Sequence, residues 1–185
     1  MVHLDPLRIG IICNETNRED LVYYKKEFIS INKLFGNRLE LVFFGYNGAD
    51  GDDDNWLEGV NFEYVKPVSI IHYFKQLKAL NVDLIFIPLI RNDYNITSEN
   101  YNKYLEAGCF GIPILTIRIY PYHRIITDKF NGFLYDEKEG LLPYLEHLNT
   151  QRALIQQVGQ NAQDDVKRQF DYTRENIQVL SDLFQ

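Results

Sequence analysis

Basic side chains stand at Arg18, Lys66, Arg91, Arg118 and Arg124, each in a short polar segment close behind an apolar run. A guanidinium or ammonium group in such a loop suits an oxyanion, and several of them together suit a diphosphate. The chain as a whole is acidic, with 19 basic and 26 acidic side chains among 185 residues and a net charge of −7. That balance argues against nucleic acid or an anionic bilayer held by bulk electrostatics, so any phosphate has to be held by a few local groups. Other chemistries find little support. The four histidines, at positions 3, 72, 123 and 147, have no metal-ligand spacing, and no serine sits in a nucleophile elbow. The segment Asn14-Glu15-Thr16-Asn17-Arg18 is neither a dinucleotide fingerprint nor a phosphate loop of the Walker type. Aspartates at 50, 52 and 54 are spaced like calcium ligands, but the glycine and terminal glutamate of that motif are misplaced, so 47–55 reads as a solvated loop. Cys13 and Cys109 match no zinc or redox spacing and read as two buried thiols in a reducing, cytoplasmic compartment. No metal and no cofactor are expected.

These loops need a scaffold, and the apolar pattern supplies one. Short apolar runs alternate with segments of helical periodicity, the signature of a parallel sheet covered by helices. Strands are expected at Leu7–Cys13, Leu39–Gly45, 62–65, 82–89, 112–117 and 131–135, the last of them edge-like. A helix over 20–35 carries apolar residues at 21, 24, 28, 31 and 35. A second, capped by Ser69, carries them at 70, 74, 77 and 80. A third starts near Thr97 or Ser98 and runs to Ala107, and Asp136 with Glu139 forms a capping box for a fourth. From position 150 a helical tail has apolar residues at 154, 158, 162, 166 and 170, an interruption at Asp171, and a last helix with Ile177, Leu180 and Phe184. No apolar run reaches the length of a membrane span, and residues 1–6 contain no signal-peptide core. The expectation is a single Rossmann-like, three-layer α/β/α domain over residues 1–185, with about six parallel strands ordered 3-2-1-4-5-6 and a helical tail over 151–185. In such a sheet, ligands sit beyond the carboxyl ends of the strands, which selects 14–18, 45–47, 66–69, 91–97 and 118–124.

The stretch 83–135 carries an ordered set: Asp83 and Pro88 around an apolar strand, Lys103, Glu106 and Ala107, Gly111-Ile112-Pro113-Ile114, Tyr122, then Asn131, Gly132 and Leu134. In this order they resemble the C-terminal, nucleotide-sugar-binding domains of retaining GT-B glycosyltransferases (the group 1-like family). The first three strands fall where that fold needs them, so the resemblance covers nearly the whole chain. It implies that Glu106 accepts hydrogen bonds from the ribose hydroxyls, that the backbone of Lys66-Pro67-Val68 reads the base, and that Asn17 and Arg18 sit at a phosphate-binding pair. Arg118 and Tyr122 would then border the diphosphate or donor sugar. Gly111 and Pro113 read as turn residues. Helical spacing alone offers a plainer role for Glu106, an ion pair with Lys103 one turn away.

The sequence also departs from the family. Ser98 stands where many relatives carry a donor-sugar glutamate, Glu99-Asn100 replaces a Lys-Ser pair, and position 18 keeps one basic residue where two are common. The resemblance implies a hexosyltransferase-like donor domain that binds a nucleoside-diphosphate sugar for surface-polysaccharide synthesis, with Arg18, Arg91 and Lys103 stabilising the departing diphosphate. A glycan or lipid-linked acceptor would bind an N-terminal domain absent from this chain, leaving the chain alone inactive and the longer protein peripheral at the membrane. The alternative is a degenerate, non-catalytic module of the same fold. A flavodoxin-like or receiver-like domain ranks last, because clustered aspartates at the ends of strands 1 and 3 are missing.

Overall fold

A computed structural model describes residues 5–45 and 57–170. The loop expected at 47–55, the break at Asp171 and the last helix lie outside the described residues. Six strands, β1 (Leu7–Cys13), β2 (Leu39–Gly45), β3 (Glu63–Val65), β4 (Leu84–Ile87), β5 (Ile114–Ile117) and β6 (Phe133–Tyr135), form one parallel sheet in the order β3-β2-β1-β4-β5-β6. β1 lies between β2 and β4, with Ile9 opposite Leu41 on one side and Leu84 on the other. β4 and β5 are buried throughout, as expected of strands covered on both faces. The chain winds outward from β1 to β3, returns to β4 and winds the other way. With right-handed crossovers the helices therefore fall on both faces, and a cleft opens where the order reverses.

Helices α1 (Arg18–Tyr23) and α2 (Lys25–Phe35) replace the single helix expected over 20–35. Tyr24 leaves helical geometry at ψ 1°, and its buried hydroxyl bonds the Leu89 carbonyl and the Tyr135 hydroxyl. Phe28 follows one turn later and meets Phe43 and Phe86 edge-on, with centroids 5.5 and 6.3 Å away. Such contacts add to area burial. This aromatic cluster joins α2 to the middle of the sheet.

Helix α3 (Ile70–Ala79) begins after Ser69 as expected, but the Ser69 hydroxyl bonds His72 Nδ1 instead of capping the backbone. Of its apolar positions Leu77 and Leu80 are buried, whereas Ile70 and Phe74 are exposed. The helix expected from Thr97 or Ser98 is two short ones. These are α4 (Asp93–Ser98), capped by the Asn92 side chain, and α5 (Asn102–Gly108). An extended Glu99 breaks them apart, and Asn102 N–H turns to the Asn100 side chain. A single turn, α6 (Tyr122–Ile125), leads to β6. The capping box expected at Asp136 and Glu139 is not formed. The N–H groups of Glu139 and Gly140 both bond the Asp136 carbonyl, and α7 (Leu141–Thr150) starts after Gly140, whose φ is 78°. Cys13 is buried as expected, but Cys109 is exposed, because the turn after α5 carries it outward.

Helix α8 (Arg152–Phe170) buries Ile155, Val158, Ala162 and Val166. It lies across the α5–β5 turn glycine against glycine. A Cβ added at Gly159 would sit 2.1 Å from the Gly111 carbonyl oxygen. Further along, Asp165 accepts hydrogen bonds from Tyr104 (2.6 Å), Asn131 (3.1 Å) and Arg168 (2.8 Å), and from Gln169. α8 thereby fixes α5, the helix that carries Lys103 and Glu106.

Candidate functional site

A cleft of about 450 Å³ lies at the carboxyl ends of β1 and β2, with β1's following turn on one side and α3, α4 and α5 on the other. The turn after β1 is braced from within. The Asn14 side chain accepts from Thr16 N–H (2.9 Å), and the Asn17 side chain accepts from Asn14 N–H (3.1 Å). Asp20, on α1, reaches across to the loop after β4, where its Oδ1 accepts from Ile90 N–H (2.9 Å) and from Asn95 Nδ2 (2.8 Å). Burial pushes the Asp20 carboxyl above the ordinary aspartate range, against the pull of these hydrogen bonds.

The opposite wall is aromatic and acidic. Phe44, from the end of β2, stacks on Tyr73 of α3 with centroids 5.6 Å apart and ring planes 18° from parallel. The Tyr73 hydroxyl donates to Glu106 Oε2 at 2.6 Å. Burial raises the Tyr73 pKa and the Glu106 charge raises it further, so the phenol stays protonated and the bond keeps one direction. Because α5 starts at Asn102, Glu106 lies just over one turn from the helix N-terminus, at the cleft wall. Lys103 shares that wall but makes no ion pair with Glu106 among the described residues, so the plainer helical pairing is not formed.

The structure brings Asn17, Val68, Lys103 and Glu106 of the expected site residues to this one cleft. Arg18 and Lys66 are exposed beside it, next in sequence to the lining residues Asn17 and Pro67. The remaining three do not line this cleft. Arg91 pairs with Glu137 at 3.1 Å and donates to the Arg118 carbonyl at 2.8 Å. Arg118 pairs with Asp136 at 3.5 Å. Both guanidinium groups thus serve the turn between β6 and α7, off the cleft wall. Tyr122 is fully buried and gives its hydroxyl to Glu99 Oε1 at 3.0 Å, behind the residues that line the cleft. Burial and the Glu99 charge both raise its pKa.

Sequence reasoning missed Phe44, Tyr73 and Glu99, all on the wall, and gave no separate role to Asn14, which lies in the expected 14–18 segment. Phe44 is legible afterwards as a residue at a strand end. Glu99 is the neighbour of Ser98, and the break between α4 and α5 turns it into the cleft. Among the described lining residues Lys103 is the one cation, facing the carboxylates of Asp20, Glu99 and Glu106. Nowhere among the described residues do three metal-ligating side chains gather.

No protein-family model matches the chain, and no curated protein matches it in sequence. Solved structures do match. The C-terminal domain of LpcC, a glycosyl transferase group 1 family protein from Francisella tularensis, superposes with a TM-score of 0.60 at 16% identity, over 90% of this chain and 87% of that one. The chain has the fold of a GT-B glycosyltransferase C-terminal domain. HepE of Anabaena, solved with UDP and glucose, matches this GT-B fold with a TM-score of 0.66 at 17% identity. The match covers 98% of this chain but 49% of HepE. TarM matches with a TM-score of 0.67 at 18% identity, over all of this chain and 36% of TarM. The chain thus spans about half of HepE and about a third of TarM. No described helix is long and apolar enough to cross a membrane.

Proposed function

We propose that the cleft binds a nucleoside-diphosphate sugar, and that the chain is the donor half of a glycosyltransferase acting in surface-polysaccharide synthesis. The observation that carries this is the Tyr73–Glu106 pair. A carboxylate held by one oxygen, at the cleft wall, still offers acceptor sites to a vicinal diol such as ribose. Val68 and the adjoining Lys66-Pro67 backbone border the same wall and would meet the base, while Lys103, Asn17 and Arg18 would meet the diphosphate. Glu99, oriented by Tyr122, takes over the acidic position that Ser98 vacates, toward the sugar. HepE, of the same fold, was solved with UDP and glucose, which supports this choice of ligand.

In the transfer the bond from the anomeric carbon to the diphosphate oxygen breaks. An acceptor hydroxyl oxygen bonds to that carbon, and its proton passes to the departing diphosphate, which leaves with the electron pair of the broken bond. This chain's share is positional and electrostatic, with Lys103 and Arg18 stabilising the departing diphosphate. Arg91 drops out of that set because Glu137 holds it elsewhere. The acceptor, a glycan or lipid-linked sugar, would bind a further domain, so the chain alone binds donor and transfers nothing. No cofactor or metal is part of this proposal, and its setting is the cytoplasmic side of a membrane.

Titration calorimetry with UDP, GDP and CDP tests the proposal, alongside Glu106→Ala. Binding of one nucleotide that the variant loses supports the donor assignment. A second reading, a non-catalytic module of the same fold, is favoured by the wall's single cation against three carboxylates. Failure of all three nucleotides to bind would select it.

A further inference from the structure

We infer that the outward flank of α3 is a docking surface for an anionic lipid bilayer. Apart from Lys66, whose backbone is assigned to the base, the inference stands on residues outside the set assigned to the nucleotide, and it does not depend on what the cleft binds. Ile70 and Ile71 are 77% and 85% exposed, and Phe74 is exposed beside them. Side chains this large and this bare, gathered on one helical flank, mark an interaction surface rather than scattered surface apolarity. Ile70, Phe74 and Lys78 follow one another at intervals of four residues, and Ile71 and Lys75 form the adjacent pair at the same interval. The apolar and basic groups therefore share one side of the helix. Leu77, seven residues on from Ile70, is buried at the edge of this flank, and Tyr73 and Leu80 beyond it pack onto the domain.

Charge selects the occupant. From position 64 to position 82 the chain carries Lys66, Lys75 and Lys78 and no aspartate or glutamate, within a protein whose net charge is −7. All three lysines are exposed. A second copy docking through the same face would set these lysines against their own mates, which electrostatics disfavours. An apolar strip flanked by lysines is instead matched by a bilayer carrying anionic headgroups. Isoleucine and phenylalanine enter the acyl boundary there, and lysine stems lie along it with their ammonium groups at the phosphates. The local patch acts within a Debye length, so the acidity of the rest of the chain weakens this contact without cancelling it. Because Pro67, Val68 and Tyr73 line the cleft, a bilayer on this flank would lie beside the cleft mouth.

Vesicle flotation tests the inference, using phosphatidylcholine vesicles with and without about a third phosphatidylglycerol, at low salt. The chain is expected to float with the anionic vesicles and not with the neutral ones. Lys75→Glu with Lys78→Glu should weaken binding by at least about thirtyfold, since each lysine near such a surface contributes roughly fivefold. Ile70→Ser with Ile71→Ser should weaken it as well. All four side chains are exposed, so both variants should keep the parent circular dichroism and the parent affinity for any nucleotide the cleft takes. Absence of flotation with anionic vesicles overturns the inference, as does flotation that neither double variant weakens. A parent dimer that Ile70→Ser with Ile71→Ser dissociates, without vesicle binding, would assign the face to a second copy and overturn it too.

Discussion

At the scale of single residues, the cleft pairs two carboxylates with two different kinds of support. Glu106 is held by a phenol at 2.6 Å, so removing that donor should cost it orientation rather than charge. Tyr73→Phe is expected to weaken nucleotide binding by about tenfold and Glu106→Ala by about a hundredfold, as loss of hydrogen bonds to a charged group implies. Calorimetry on both variants checks the order, and equal losses would show that Tyr73 does more than orient the carboxylate. Asp20 is the opposite case. Burial raises its folded pKa above the unfolded value, so the native state binds more protons there. Its ionised form therefore costs stability, and stability falls as pH rises from about 3.9 through the raised value. Asp20→Asn keeps an acceptor for Ile90 N–H and should leave neutral-pH stability within about 0.5 kcal/mol of the parent, or raise it. Asp20→Ala strands that N–H and should cost about 1–3 kcal/mol in urea denaturation. Both carboxylates illustrate the limit of sequence reading. Glu106 was found because a family resemblance pointed to it. Asp20 and Glu99 gave no signal, since their roles depend on Ile90 and Tyr122, far away in sequence.

Elements were legible wherever apolar period and length agreed. β1 and β2 fall where their apolar runs place them, because a strand buried on both faces needs little else. Helix breaks were not legible. Positions 21, 24, 28, 31 and 35 stay in helical phase across the break at Tyr24, since the buried phenol needs a local turn that periodicity does not encode. The α8–α5 contact depends equally on distant partners. Gly159→Ala drives a Cβ against the Gly111 carbonyl, a backbone atom that cannot rotate away, and should cost about 1–3 kcal/mol. Gly108→Ala meets Val166 Cγ2 at 2.7 Å, the end of a side chain, and should cost less. Burial on its own would raise the pKa of Asp165, but the hydrogen bonds from Tyr104, Gln169, Arg168 and Asn131 outweigh it and hold the pKa below the ordinary range. The stability it contributes is present above an unfolded pKa of about 3.9 and is lost as pH falls through the folded value. Asp165→Asn should lower stability at neutral pH and flatten its decline in acid. Denaturation at neutral and acid pH would reveal both, and an unchanged acid slope would deny Asp165 that part.

For the whole molecule, strand order was legible because alternating strands and helices leave few topologies, and the cleft then follows from where the order reverses. The charge within the cleft was not. Arginines in strand-end loops suggested a basic site, yet Glu137 and Asp136, from the β6–α7 turn, draw Arg91 and Arg118 away. What lines the cleft is Lys103 with three carboxylates and five asparagines, at 14, 17, 95, 100 and 102. Amides and carboxylates recognise hydroxyl groups well and offer a diphosphate little compensation. A nucleotide on this wall is therefore held mainly by its neutral parts. UDP is expected to bind no more than about tenfold tighter than uridine, a charge contribution near 1.4 kcal/mol. Its affinity should change by less than about threefold between about 0.05 and 0.3 M salt, as for a site with one effective cation. Calorimetry of both ligands across that range decides the matter. A hundredfold preference for UDP that collapses with salt would mean that Arg18, exposed beside the cleft, gives the diphosphate more than a solvent-screened contact and that Lys66 joins it. On the proposed donor reading, a preference within the expected bound would leave the charge of the departing diphosphate to be balanced by groups outside this wall.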